Sequence, residues 1–257
     1  MKKIAIYIPA FNAARTIPIV IDRIPKEIKS SVQEIFVVDN ASSDTTYLTV
    51  IGYKHENGLG NLKVIRNEHN VGYGGSQKIA YNYAIEKNYD IVIMLHGDAQ
   101  YAPEYLPEII KPLIEDKADL VFGSRMSGNP RKGGMPYYKI ISNKLLTWFE
   151  NTILDSNLSE FHSGYRAYSC NALKKIPFNL CDDNYLFDTD ILIQFKINNL
   201  RIGEIAIPTH YGNESQSPRF TQLIIYVIGI VLSMSSYFLH KNGIKRNKKY
   251  EVHPNEN

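Results

Sequence analysis

The stretch V92IMLHGDAQYAPE104 decides how the chain reads. An apolar run stops abruptly, and His96, Asp98 and Gln100 then stand on alternate residues before the chain meets Pro103. A buried strand is spilling into a polar cluster. Other apolar runs share this form. K3IAIYIPA10, E34IFVVDN40, L62KVIRN67, D90IVIMLH96 and A118DLVFGSR125 read as strands. Between them, T16IPIVIDRIPKEI28, the segment from Ser42 to Glu56, G74GSQKIAYNYAIEKN88 and the segment from Pro103 to Lys117 have helical spacing or capping residues at their start. Strands alternating with helices over short links predict an α/β fold with a mostly parallel, doubly wound sheet.

Ligands of such sheets bind beyond the carboxyl ends of the strands. The first exit carries Pro9, Ala10, Phe11 and Asn12; the second Asp39, Asn40, Ala41 and Ser42; the third NEHNVGYGG; the fourth His96, Gly97 and Asp98. Four polar or small exits on one edge predict a pocket for a polar, phosphate-bearing ligand. The glycine-rich NVGYGGS follows the third strand rather than the first, and neither G-x-G-x-x-G on strand one nor G-x-x-x-x-G-K-[ST] is present. That argues against a dinucleotide dehydrogenase and a P-loop NTPase. A diphosphate would then need other positive charge, which a carboxylate-held divalent cation can supply. Asp98 offers a hard oxygen, Gln100 an amide oxygen and His96 a nitrogen, a set suited to Mg²⁺ or Mn²⁺. The competing reading is that Asp98 and Gln100 merely cap the helix starting near Pro103.

The 257 residues are 44% hydrophobic and 21% charged, enough for one large domain with a core. A net charge of +3 gives no argument for a nucleic-acid partner. Cys170 and Cys181 form no metal or disulfide framework and hint at a reducing compartment. The opening apolar run meets Pro9 and Asn12 too early for a signal-peptide core. From Phe220 to Leu239 no residue is charged, and Lys241, Lys245, Arg246, Lys248 and Lys249 follow. Three readings stand: an in-plane interfacial helix, a membrane crossing, or a packing or dimer helix. A single crossing would export the basic tail of a cytoplasmic domain, against the positive-inside tendency. The expected organisation is a domain over 1–218, an apolar helix over 219–241 and a polar, disordered tail over 242–257.

At this point the motifs resemble those of family 2 glycosyltransferases of the GT-A fold, in particular the dolichol- or polyprenol-phosphate mannosyl- and glucosyltransferase-like branch. The segments are IPAFNAARTI, VVDNASSDTT, NVGYGGSQKIAYNYA, HGDAQYAPE, EFHSGYRAYS and YLFDTDILIQFKINNLRIGEIAIPTHYG, in that order, from about Lys3 to Pro218. Departures are Ala13 for an acid, Asn40 for a second acid, Ala41 for a glycine and His96 for the first acid of D-x-D.

The resemblance implies an inverting hexosyl transfer from a UDP-, GDP- or dTDP-sugar. Pro9, Ala10, Asn12 and Asp39 would hold the nucleoside, and Gly72 and Tyr73 would line its pocket. Asp98 and Gln100 would bind the metal, with His96 either a ligand or a hydrogen-bonding neighbour of the sugar or diphosphate. Ser163, Gly164 and Arg166 would face sugar and acceptor, Arg166 pairing with phosphate. Glu160, Asp188 and Asp190 compete as general base, and His210 could reach the diphosphate. The acceptor is expected to be a polyprenyl phosphate or a lipid-linked glycan, met peripherally at the inner face of the cell membrane; oligomers are possible. The alternatives are a nucleotidyltransferase, a metal hydrolase using His96, His162 and His210, and a non-catalytic nucleotide-sugar binder.

Overall fold

The computed structural model describes residues 2–208 and 220–251. Among the described residues, seven strands form one sheet: β1 (Ile4–Ala10), β2 (Glu34–Asp39), β3 (Leu62–Arg66), β4 (Ile91–Met94), β5 (Leu120–Ser124), β6 (Arg166–Ser169) and β7 (Ile202–Ala206). Their spatial order is β3-β2-β1-β4-β6-β5-β7. All pairings are parallel except those of β6, which runs antiparallel to both β4 and β5. The expected mostly parallel α/β sheet is therefore what the chain forms.

Strands β1, β2, β4 and β5 are buried on both faces because helices cover both, whereas the edge strands β3 and β7 are only partly covered. Ile4, Ile6 and Ile8 of β1 point into a layer with helices α1 (Ile17–Arg23) and α5 (Leu106–Ile114). Ala5 and Tyr7 point the other way, toward α4 (Gly72–Glu86) and α8 (Phe187–Ile197). Pro25 separates α1 from α2 (Lys26–Ser31), since proline cannot continue the hydrogen-bond ladder; α3 (Thr46–Glu56) packs on β3.

The second half holds what the periodicity did not show. Helix α6 (Tyr137–Leu154), the short α7 (Cys170–Leu173) and strand β6 were not expected from the residues. Helix α9 (Phe220–Lys241) forms over the uncharged segment and touches both α6 and α8. Gly229 sits against Leu186, where a side chain would collide with the leucine.

The expectation of a disordered tail from residue 242 fails over 242–251. There Tyr250 is buried, its hydroxyl donates to Ser233 O at 3.1 Å, and Lys249 Nζ lies 2.8 Å from Asp190 Oδ2. An aromatic anchor and a buried ion pair outweigh the polarity that suggested disorder.

Candidate active site

Strand β1 lies between β2 and β4, the point where the chain's winding changes direction, and a cavity of about 1040 Å³ opens there. Three exits turn through left-handed residues that are not glycine: Asn12 after β1 (φ 52°), Ala41 after β2 (φ 58°) and Ala99 after β4 (φ 60°). Such residues are uncommon there and cluster at functional sites. Side chains and backbone secure these turns. Asn12 Oδ1 accepts from Ser43 N at 2.9 Å, and Asp98 Oδ1 accepts from Gln100 N at 3.1 Å. Asp98 thus closes its own turn. The 3₁₀ turn at Pro103–Tyr105 and the start of α5 have no side-chain cap, so the capping alternative does not describe these residues.

Pro9, Ala10, Asn12, Gly72, Tyr73, His96, Asp98, Gln100, Gly164 and Asp188 all line this cavity. Asp39 does not. It is fully buried at the end of β2, where Oδ1 accepts from Ser42 N at 3.0 Å; Oδ2 lies 3.5 Å from Arg66 Nε but lacks a hydrogen-bond partner. Its neighbour Asn40 reaches the cavity instead.

His96 is wedged among aromatic rings, 5.2 Å from Tyr101 and 5.7 Å from Tyr73 between centroids. Its Nε2 is 3.3 Å from the Tyr73 hydroxyl. Burial is the main influence and pushes the imidazole below its ordinary pKa, although Asp98 and Asp188 pull the other way. Gly164 makes the wedge possible, because a β-carbon there would collide with His96 Nε2. Gly72 and Gly74 serve a related purpose. Side chains at either would strike the carbonyls of Asp183 and Asp182, so the glycine-rich stretch is the seam along which α4 meets the loop before α8.

Four expectations are corrected. Glu160 is fully buried, away from the cavity lining, and its carboxylate is consumed by Arg125. It accepts from Arg125 N at 2.9 Å and Arg125 Nε at 2.8 Å, pairs with Nη2, and accepts from Asn143 Nδ2 at 3.0 Å. Burial alone would raise its pKa, but the Arg125 charge and hydrogen bonds overcome that and hold it below the usual value. A carboxylate so stabilised as an anion, and walled off from the cavity, is no proton acceptor for substrate.

Arg166 is also fully buried. Nε donates to Ser163 O at 2.7 Å, Nη2 to Phe161 O at 2.7 Å and Nη1 to Asp188 O at 3.0 Å, so the fork expected to hold phosphate instead pins a loop to α8. Ser163 donates its hydroxyl to Gly123 O and is buried. Asp190 is buried as well, accepting from Asp182 N and Ser233 Oγ, each at 2.9 Å, beside Lys249. His210 lies outside the described residues.

Asp188 is the one candidate base that faces the cavity. Tyr73 Oη donates to its Oδ2 at 3.1 Å, and Gln77 Nε2 to its Oδ1 at 3.4 Å. The cavity also gains residues that the sequence reading passed over: Arg125, Lys139 and Tyr226. Arg125 stands at the exit of β5, and the test applied to the first four strand ends would have found it there. Burial, then the charge of Arg125, lowers the Lys139 pKa. His162 also lines the cavity, with Nδ1 2.9 Å from the Tyr226 hydroxyl and Nε2 3.1 Å from the fully buried Glu150 carboxylate. Of the histidines offered for a hydrolase, the two that are described, His96 and His162, are each tied to other partners.

Comparison with known proteins bears on the fold and the family. Residues 5–177 match the model of the family described as Glycosyl transferase family 2. The chain is similar to a UDP-N-acetylglucosamine–dolichyl-phosphate N-acetylglucosaminyltransferase of Methanococcus voltae, 31% identical over 87% of this chain and 92% of the relative. It is also similar to an undecaprenyl-phosphate mannosyltransferase of Micrococcus luteus, 26% identical over 78% and 80% of the two chains. Among solved structures, the fold resembles glucosyl-3-phosphoglycerate synthase from Mycobacterium tuberculosis, crystallised with Mn²⁺, UDP and phosphoglyceric acid. That likeness has a TM-score of 0.67 at 18% identity, covering 92% of this chain and 78% of the other. The family match over most of the sheet, and a relative 31% identical along nearly its whole length, place this chain in glycosyl transferase family 2.

Proposed function

We propose that this glycosyltransferase moves a sugar from a nucleotide sugar, with UDP as the favoured nucleotide, to a polyprenyl phosphate presented at a membrane surface. The observation that carries the reading is the polarity of one cavity: Asp98 and Gln100 at the β4 exit, and Arg125 and Lys139 also on its lining. Asp98 and Gln100 suit a cation-bridged diphosphate, and Lys139, beside the Arg125 that pairs with Glu160, suits an anionic acceptor. The relatives named for dolichyl and undecaprenyl phosphate support that acceptor, and the first of them supports UDP. The cavity volume, about 1040 Å³, suits a nucleotide sugar beside an acceptor headgroup.

The residues present fit a divalent ion that arrives with the diphosphate. Among the described residues no group of three or more His, Cys, Asp or Glu could hold a metal alone. Asp98 with the Gln100 amide leaves most positions to phosphate oxygens and water, as Mg²⁺ and Mn²⁺ accept. When bound, such an ion would stabilise negative charge on the departing nucleoside diphosphate. His96 belongs beside this set as a packed, neutral ring.

Asn12, Asn40, Gly72 and Tyr73 form the nucleoside side. Attack by an acceptor phosphate oxygen forms its bond to the anomeric carbon as the bond to diphosphate breaks, and the electron pair leaves with the diphosphate. An anionic acceptor needs no strong base, so positioning and leaving-group electrostatics carry the step. A hydroxyl acceptor would need one, and Asp188 is the acid in place.

Helix α9 supports a membrane surface as the location. One face, with Ile230, Met234 and Tyr237, is buried against the protein, while Ile225 (68%) and Leu232 (64%) on the other are exposed. One-sided packing favours an in-plane helix over a crossing. The test is incubation of the full chain with UDP-, GDP- and dTDP-sugars, vesicles containing polyprenyl phosphate, and Mn²⁺ or Mg²⁺. A sugar-phospholipid product with release of nucleoside diphosphate is expected. Tight nucleotide-sugar binding without turnover on any acceptor would return the reading to a non-catalytic binder.

A further inference from the structure

Helix α6 carries an apolar stripe that the catalytic reading does not use. Tyr137, Tyr138, Ile141, Leu145 and Trp148 are 58–66% exposed. At 3.6 residues per turn they fall within an arc of about 100°. The opposite face, with Asn143, Thr147, Glu150 and Leu154, is buried. Exposed aromatic and aliphatic residues in one contiguous band are unusual on a surface that stays in water. Helix α9 touches α6, and both helices supply walls to the cavity, through Tyr138 and Leu146 on one and Tyr226 on the other.

Charge indicates what covers the stripe. Residues 126–149 and 220–250 contain nine Lys and Arg and not one Asp or Glu, whereas the whole chain nets +3, so the remainder nets −6. Seven of the nine are exposed: Arg131, Lys132, Lys144, Lys241, Lys245, Arg246 and Lys248. The guanidinium of Arg131 lies 4.3 Å from the Tyr137 ring centroid, at the edge of the stripe.

We propose that α6 is a second docking element that, together with α9, seats the protein on an anionic lipid bilayer with the cavity mouth between the two helices. Ile141 and Leu145 enter the acyl boundary, Trp148 and the two tyrosines sit at headgroup depth, and Arg131, Lys132 and Lys144 meet lipid phosphates. A second copy of this chain fits the face poorly. A two-fold interface sets a patch against itself, and here it would oppose basic residues with no acid between them. The proposal rests on the membrane location given above, and it adds the α6 surface and the anionic character of the lipid.

The experiment is flotation of the full chain with vesicles of phosphatidylcholine alone or mixed with phosphatidylglycerol, at physiological salt. Wild type is expected on the mixed vesicles and much less on neutral ones. Ile141→Ser with Leu145→Ser and Trp148→Ser should cut partition at least tenfold. Lys132→Glu with Lys144→Glu should cut it roughly 20-fold or more on anionic vesicles alone, since each basic residue near such a surface multiplies binding about fivefold. None of these residues lines the cavity, so UDP-induced thermal stabilisation should persist and certify the fold. If both α6 variants float like wild type while Ile225→Ser with Leu232→Ser does not, the α6 proposal is wrong and the α9 reading stands. Wild type that ignores every vesicle sinks both. Light scattering that shows a dimer broken by the α6 variants would make the face a contact between copies, also overturning the proposal.

Discussion

The two halves of the sheet treat their polar residues in opposite ways. On the side of β1, β2 and β4, the residues that follow the strands line the cavity, as Asn12, Asn40, Asp98 and Gln100 do. On the side of β5, β6 and α8, Arg125 and Asp188 reach the cavity, but Glu160, Arg166 and Asp190 of the recognisable motifs turn inward and are fully buried. The cause is strand direction. Parallel strands all deliver their carboxyl ends to one edge, so whatever follows them faces the ligand. Strand β6 runs the other way, with Met94 opposite Arg166. Its beginning, rather than its end, therefore lies at the site, and the preceding loop must be tied down before anything can bind. Arg166 ties the loop to α8, and Glu160 ties it to Arg125. One half of the cavity presents the polar residues that follow its strands, and the other spends most of its motif charges on holding shape.

This contrast can be broken experimentally. The largest effect belongs to the presenting half: Asp98→Asn should lower turnover roughly 10²–10³-fold, the scale of losing one transition-state electrostatic contact, with little change in melting temperature. Full turnover in that variant would remove the carboxylate from the reaction.

Charges that hold shape should behave in reverse. Arg166→Met or Glu160→Gln breaks a buried, hydrogen-bonded pair and should cost about 3–5 kcal/mol of stability, measured by denaturant unfolding. The refolded remainder should keep its activity per native molecule far better than Asp98→Asn does. If Glu160→Gln instead loses activity at unchanged stability, Glu160 regains the role of base.

Gly164→Ala tests the seam between the halves. Its methyl would collide with His96, and the crowding should cost about 1–3 kcal/mol while weakening nucleotide-sugar binding.

His96 gives a smaller, pH-dependent signal. Its folded-state pKa is depressed by burial, so the unfolded chain takes up a proton first as pH falls. Its contribution to stability is therefore complete above the unfolded pKa of about 6.5 and declines below it. Melting temperature followed from pH 7.5 to 5.5, on the order of one unit either side of that pKa, should fall more steeply for wild type than for His96→Asn. Parallel curves would show that His96 does not titrate differently on folding.

The smallest effect is a gain. Ala41 holds φ 58°, where its β-carbon is strained, and Ala41→Gly should stabilise the fold by about 1 kcal/mol.

Legibility followed the same division. Strands β1, β2, β4 and β5 were readable because both of their faces are buried, and the edge strand β3, half-exposed, was readable from its short apolar run alone. Strand β6, R166AYS169, has only four residues and opens on an arginine, so nothing in its pattern announces a sheet. Helix α6 hides its buried face behind Asn143, Thr147 and Glu150, and periodicity of apolar residues finds its exposed stripe instead of its core. The tail looked disordered because Tyr250 is one buried residue among polar ones.

What the sequence determined by itself was the α/β alternation, the edge on which the cavity opens, and Asp98 and Gln100 as lining residues. These follow from local rules, since apolar runs make parallel strands and parallel strands share an exit edge. What only the tertiary structure decided was the use of each charge. A carboxylate is a base, a metal ligand or a brace according to its distance from partners far away in sequence. Glu160 finds Arg125 35 residues back, and Asp190 finds Lys249 59 residues ahead. No local pattern encodes such pairings, because they are set when the antiparallel strand and the last helix close over the sheet.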